Sequence, residues 1–135
     1  MSKIRGLAEI VIWTHDMEKS LNFYRDVLGL EPMFLPDIRG AVFLQAGPEV
    51  VDCPQHVVLV PLPEGAPAFP SERSLRTMHH LGLEMSQEDW DSERNRLEGM
   101  GIDLRYGEHP YLPLRGMYLD DPDGNEVEII SRRPA

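Results

Sequence analysis

Cysteine is almost missing: Cys53 stands alone among 135 residues. It can form no intrachain disulfide and has no cysteine neighbour for a zinc clip, which fits a reducing compartment and leaves Cys53 a bystander. Aromatic residues are few at 7%, and basic residues number 13 against 23 acidic ones. The formal net charge of -10 repels phosphate backbones and anionic headgroups, so neither nucleic acid nor a membrane surface is an expected partner. No apolar run approaches the ~18 residues needed to cross a bilayer. The opening Met1-Ser2-Lys3-Ile4-Arg5 also lacks the apolar core of a signal peptide, so a cytoplasmic protein is expected. With 41% hydrophobic and 27% charged residues, a chain of this length suits one compact domain or two very small repeated units. A multidomain enzyme is not expected.

What the chain does contain is a repeat. Leu7–Trp13 reads as a strand, followed by Asp16 as a helix N-cap, by Met17, Leu21, Tyr24 and Leu28 at helical spacing, and by Gly29 as the stop. The same order returns in Met78–Met85, in Trp90, Leu97 and Met100 on one helix face, and in Gly101. The offset is 71 residues from Glu9 to His80 and 72 from Gly29 to Gly101. Strand-like segments follow each copy: Ala41–Gln45 and His56–Val60, then Gly116–Leu119 and Glu126–Ile130. Asp123-Gly124 is a turn joining the last two strands, and Asp37–Gly40 is expected to serve likewise in the first half. Prolines between Pro61 and Pro70 break both helix and central strand, which marks a linker. The expected architecture is α+β, with one module over 5–62, a Pro-rich linker over 63–76 and a second module over 77–133. Each module is of the β-α-β-β-β kind.

Strand alternation places Leu7, Glu9, Val11 and Trp13 on one face and Ala8, Ile10 and Ile12 on the other. In the second copy Leu81, Leu83 and Met85 match the Ile10 face, so His80 falls where Glu9 stands in the first. Glu128 alternates with Val127 and Ile129 at the last strand. One imidazole and two carboxylates thus become candidates to converge, and a divalent cation would offset the cost of burying their charge. The plainer alternative is that the glutamates are solvated and His80 is hydrogen-bonded beside His79.

Two stretches carry a resemblance. His15-Asp16-Met17-Glu18-Lys19-Ser20-Leu21-Asn22-Phe23-Tyr24-Arg25-Asp26-Val27-Leu28-Gly29-Leu30 and Asp121-Pro122-Asp123-Gly124-Asn125-Glu126-Val127-Glu128 resemble the signatures of the vicinal oxygen chelate superfamily. That superfamily contains glyoxalase I, type I extradiol dioxygenases, fosfomycin-resistance enzymes and bleomycin-binding proteins. The resemblance spans nearly the whole chain, and it speaks more for the fold, a curved sheet cleft made by two βαβββ modules, than for one chemistry.

The resemblance implies metal ligands at Glu9, His80 and Glu128, with His79 as the competitor for His80. The first-module counterpart of Glu128 aligns near Leu59, which leaves open coordination positions. Extradiol enzymes are the closest match in the other polar residues, implying His56 as general acid/base, Tyr118 as a donor to substrate and His109 as a secondary hydrogen-bonding group. Glu9 departs from the extradiol pattern, where a histidine is usual. A second carboxylate makes the ligand set harder and favours Mn²⁺, Mg²⁺ or Ni²⁺ relative to a ferrous site. One divalent ion is expected, Fe²⁺ or Mn²⁺ first, with Ni²⁺, Mg²⁺ and Zn²⁺ as alternatives.

The implied activity is ring cleavage of a catechol-like aromatic diol by an oxidoreductase. The competitors are a glyoxalase- or epimerase-type lyase or isomerase on the same metal, and a metal-free binding protein like the bleomycin-resistance proteins. A homodimer is implied as well. Trp13 reads first as a core residue and second as a wall against a substrate ring, while Arg39, Arg105 and Arg115 are candidates to receive a carboxylate.

Overall fold

The computed structural model describes residues 2–49 and 52–135. Contacts divide the chain into two compact units, the first running to Ala68 and the second from Phe69 to Ala135. Among the described residues no helix is long and apolar enough to cross a membrane.

The first unit is built from β1 (Glu9–Thr14), α1 (Met17–Leu21), β2 (Glu31–Pro32), β3 (Val42–Glu49) and β4 (Pro54–Pro61), with sheet order β1-β4-β3-β2. Asp16 caps α1, its side chain accepting from the Lys19 amide at 3.1 Å, as the sequence predicts. The helix then continues as a π-helical stretch over Asn22–Val27 and ends at Gly29, whose φ of 80° suits glycine best. Strand alternation decides the core. Ile12 of β1, Val42 and Leu44 of β3 and Val57 and Leu59 of β4 are buried, as are Met17, Leu21 and Tyr24 of the helix.

The second unit repeats the plan with β5 (Leu81–Glu84), α2 (Trp90–Gly99), β6 (Arg105–Glu108), β7 (Leu114–Asp120) and β8 (Glu126–Arg132), in the order β5-β8-β7-β6. Leu81, Met117, Leu119, Val127 and Ile129 line its buried face, together with Trp90 and Leu97 of α2. Gly101, at φ 78°, ends that helix as Gly29 ends the first. In both units the first strand pairs parallel to the last, and the remaining pairs are antiparallel.

Three expectations need correction. Asp37–Gly40 does form a turn, the Gly40 amide donating to the Asp37 carbonyl at 3.0 Å, but it leads from β2 into β3 and does not join the last two strands of its unit. Trp13 is not a core residue, since 54% of its surface is exposed. The first-unit counterpart of Glu128 is Val58, not Leu59: Val11 pairs with Val58 as Gly82 pairs with Glu128. Leu59 lies one residue further on, on the opposite face of β4, and both residues are buried.

Candidate metal and proton-transfer site

In the second unit Glu128 is the centre of the polar face. Register places Gly82, Glu128, Tyr118 and Arg105 in one row across β5, β8, β7 and β6. Glycine makes the row possible. A Cβ on Gly116 would lie 2.9 Å from both Cγ and Cδ of Glu128, and one on Gly107 would lie 3.2 Å from the Tyr118 ring. The Glu128 side chain is only 12% exposed, and it meets His80 Nε2 at 3.0 Å through Oε2 and the Tyr118 hydroxyl at 2.6 Å through Oε1. Burial, followed by the hydrogen bond and negative charge of Glu128, pushes the Tyr118 hydroxyl up to about 12, so it remains a donor at neutral pH.

The next row holds a second carboxylate of different character. Glu126 sits opposite Asp120 and is bound by Arg105 at 2.9 Å and by Arg73 at 3.2 Å; Arg105 also holds Asp120 at 2.7 Å. One donor atom each from His79, His80 and Glu126 lie within 4.8 Å of one another, so these three form an alternative ligand set. Glu128 is the better metal donor of the two glutamates, because Glu126 already has its charge matched by two guanidinium groups. His80 and Glu128 are in hydrogen-bond contact at 3.0 Å, and the same spacing would also suit two donors ~2.1 Å from one octahedral ion.

His79 gives that pair an orientation. Its Nδ1 lies 2.8 Å from His80 Nδ1, so one ring donates and the other accepts. A metal at His80 Nε2 would require His80 to donate from Nδ1, with His79 as the acceptor. The sequence reading makes His79 a rival ligand to His80; in the structure it contacts His80 and also belongs to the alternative set with Glu126.

The first unit places Glu9 opposite His56 across β1 and β4. Glu9 Oε2 and His56 Nε2 are 2.8 Å apart, while His56 Nδ1 is 2.6 Å from the Pro54 carbonyl. The Pro54 carbonyl can only accept, so Nδ1 is the donor there and Nε2 faces the Glu9 carboxylate. His56 is almost fully buried, whereas the Glu9 side chain is 48% exposed on the face it shares with Val11 and Trp13. Cys53 Sγ also approaches His56 Nδ1, at 3.7 Å.

His109 is tied to its own hairpin. Its Nδ1 accepts from the amides of Tyr111 and Leu112 at 3.1 and 2.9 Å, which leaves Nε2 as its free edge. Among the described contacts, none joins it to Tyr118 or Glu128. The structure therefore groups His80, Glu128 and Tyr118 in one unit and Glu9 with His56 in the other. Sequence reasoning missed Arg73, Glu126 and the glycines beneath the site. Only Glu126 carried a signal, as a polar residue on the Glu128 face.

A fold of two βαβββ modules with acid and imidazole at matched strand positions defines a class. The chain belongs to the glyoxalase/bleomycin resistance protein/dioxygenase superfamily, whose model matches residues 6–129. A catechol-2,3-dioxygenase of Bacillus subtilis (strain 168) is 29% identical over 134 residues, which are 96% of this chain and 41% of that protein's length. The chain thus spans well under half of the curated relative. A glyoxalase/dioxygenase from Nostoc punctiforme superposes with a TM-score of 0.74 at 21% identity, covering 98% of this chain and 94% of the other. A lactoylglutathione lyase from Agrobacterium tumefaciens gives 0.67 at 23%, covering 96% of each chain. These likenesses establish the fold.

Proposed function

We propose that the protein is a metal-dependent enzyme acting on a small molecule with two adjacent oxygens, and that its reaction is extradiol cleavage of a catechol-type ring. The observation that carries this reading is the His80–Glu128 pair, set at the spacing of two metal ligands and backed by a protonated Tyr118. The likeness to a catechol-2,3-dioxygenase supports the choice of reaction. For Glu9 a ligand role rests on the family pattern alone. A bound divalent ion would act as a Lewis acid that favours the ionised form of a substrate hydroxyl.

The protein's own groups do the rest. Tyr118 donates its one O–H to Glu128, fixing that carboxylate's rotamer, and its oxygen can accept from a substrate hydroxyl. His56, clamped between the Pro54 carbonyl and Glu9, holds a proton that can move along the Nε2–Oε2 axis. His109 contributes a secondary hydrogen bond through Nε2. The test is anaerobic loading with Fe²⁺ or Mn²⁺, then addition of air and a panel of catechols. Yellow ring-fission product is expected, and its absence across the panel would count against this reaction.

A second reading has its own support. The Glu9–His56 pair, in contact at 2.8 Å, offers a carboxylate and an imidazole for proton transfer next to a carbonyl without dioxygen, as in a glyoxalase-type lyase or isomerase. Metal-dependent turnover of a hemithioacetal that persists without oxygen would select it.

A further inference from the structure

We propose that the second unit carries an oxyanion site centred on Arg115, separate from the polar face of Glu128, for a small molecule bearing a phosphate or carboxylate group. Arg115 and Tyr118 are three residues apart on β7, so strand alternation turns them to opposite faces of the sheet. The Arg115 guanidinium lies over the Trp90 ring at 4.2 Å, and Trp90 is itself 3% exposed. Its Nε is buried with no hydrogen-bond partner.

Several arginines of this unit are matched by acids, Arg73 by Glu126, Arg94 by Asp91 and Arg105 by Asp120 and Glu126, while Arg76 is held by the Pro70 and Asp123 carbonyls. Arg115 has a carboxylate directly across the ladder in Glu108, yet that group pairs with Arg133 at 3.2 Å. The positive charge of Arg115 is therefore held in place by an aromatic ring and is not neutralised by an acid among the described residues. A guanidinium fixed in this way has lost its rotamer freedom before any ligand arrives, which lowers the cost of binding.

Two cavities meet at this point, of about 540 and 390 Å³, and both are lined by Arg115 and Glu108. The larger adds Arg132 and Arg133 from the end of β8, so its charged side chains are three guanidinium groups and one carboxylate. The smaller adds Trp90 and Tyr106, aromatic surface suited to the body of an organic anion. Both volumes fall in the range of small-molecule sites. Glu108 acts as an internal competitor for the ligand, since it presents the only side-chain carboxylate lining either cavity.

The test uses the full-length W13F protein, in which Trp90 is the sole tryptophan, titrated separately with inorganic phosphate and with acetate at ionic strength held constant by chloride. A saturable change in Trp90 emission, with a midpoint below about 10 mM, is expected for at least one anion. Saturation by phosphate alone identifies a phosphate-bearing ligand, and saturation by acetate alone a carboxylate. R115Q is expected to weaken the midpoint by about tenfold or more, and R132Q by a smaller factor. E108Q removes the competing carboxylate without touching Trp90 and is expected to tighten binding several-fold. Linear, unsaturated titrations with both anions, or an E108Q midpoint equal to that of the parent, would overturn the proposal even if R115Q failed to fold.

Discussion

Glu128 packs directly over Gly116, and no other residue type could occupy position 116 without moving that carboxylate. The nearest groups to a Cβ there are the Glu128 side-chain atoms themselves, with Cγ and Cδ both at 2.9 Å. G116A is expected to cost about 1–3 kcal/mol in stability, as overpacking does, and to reduce metal affinity more than this modest loss would imply. Metal titration of the folded variant checks it; wild-type affinity would show that Glu128 is not held by this contact.

The Tyr118 hydroxyl is expected to stay protonated across the working range. Its value, raised to about 12 by burial and by Glu128, exceeds the ordinary value of 10.0. For a raised tyrosine the sign is clear: the unfolded chain gives up the proton first, so stability is constant below pH ~10 and falls as pH rises toward the folded value. Urea midpoints for wild type should drop over that window, and Y118F should show a smaller drop, because burial and Glu98 raise Tyr106 as well. Y118F also removes a donor to a ligand carboxylate, so metal affinity should fall by about tenfold.

His79 is expected to act as a positioning residue for His80. H79F removes the acceptor for His80 Nδ1 and should weaken metal binding by about tenfold, while H79N, which retains an acceptor, should restore most of it. Equal loss in both variants would contradict the orienting role.

Asp121 organises the turn that delivers Glu126 and Glu128. Its Oδ1 accepts from the amides of Asp123 and Asn125, both at 2.9 Å, its Oδ2 accepts from the Asn125 side chain, and the residue is 6% exposed. D121A leaves those donors unpaired and should cost about 1–3 kcal/mol, with metal affinity falling as the start of β8 loosens. Denaturant unfolding measures the first effect.

The parts of the fold legible in the sequence were those with a local cause. Asp16, Gly29, Gly101 and the Asp121–Gly124 turn each act within a few residues, and each stands where the pattern put it. Alternation in β1 and β8 likewise put Glu9 and Glu128 opposite the buried residues. Parity could not fix which residue pairs with which across strands, and the counterpart of Glu128 slipped by one as a result. β6, with the sequence Arg105-Tyr106-Gly107-Glu108, has no apolar alternation because its exposed side chains serve Asp120, Glu126, Glu98 and Arg133. Nor does any sequence rule announce that Arg73, within the Pro-rich linker, clamps Glu126. Such contacts depend on long-range register, which the repeat offset alone does not determine.

Elemental analysis of the protein purified without chelator tests the central claim most directly. About one divalent ion per chain is expected in the wild type, with loss of the ion in H80A and E128A and retention in E126Q. E9Q, measured separately, tests the ligand role of Glu9. A wild-type protein free of metal, or an ion retained in both H80A and E128A, would contradict the assignment of His80 and Glu128 as metal ligands.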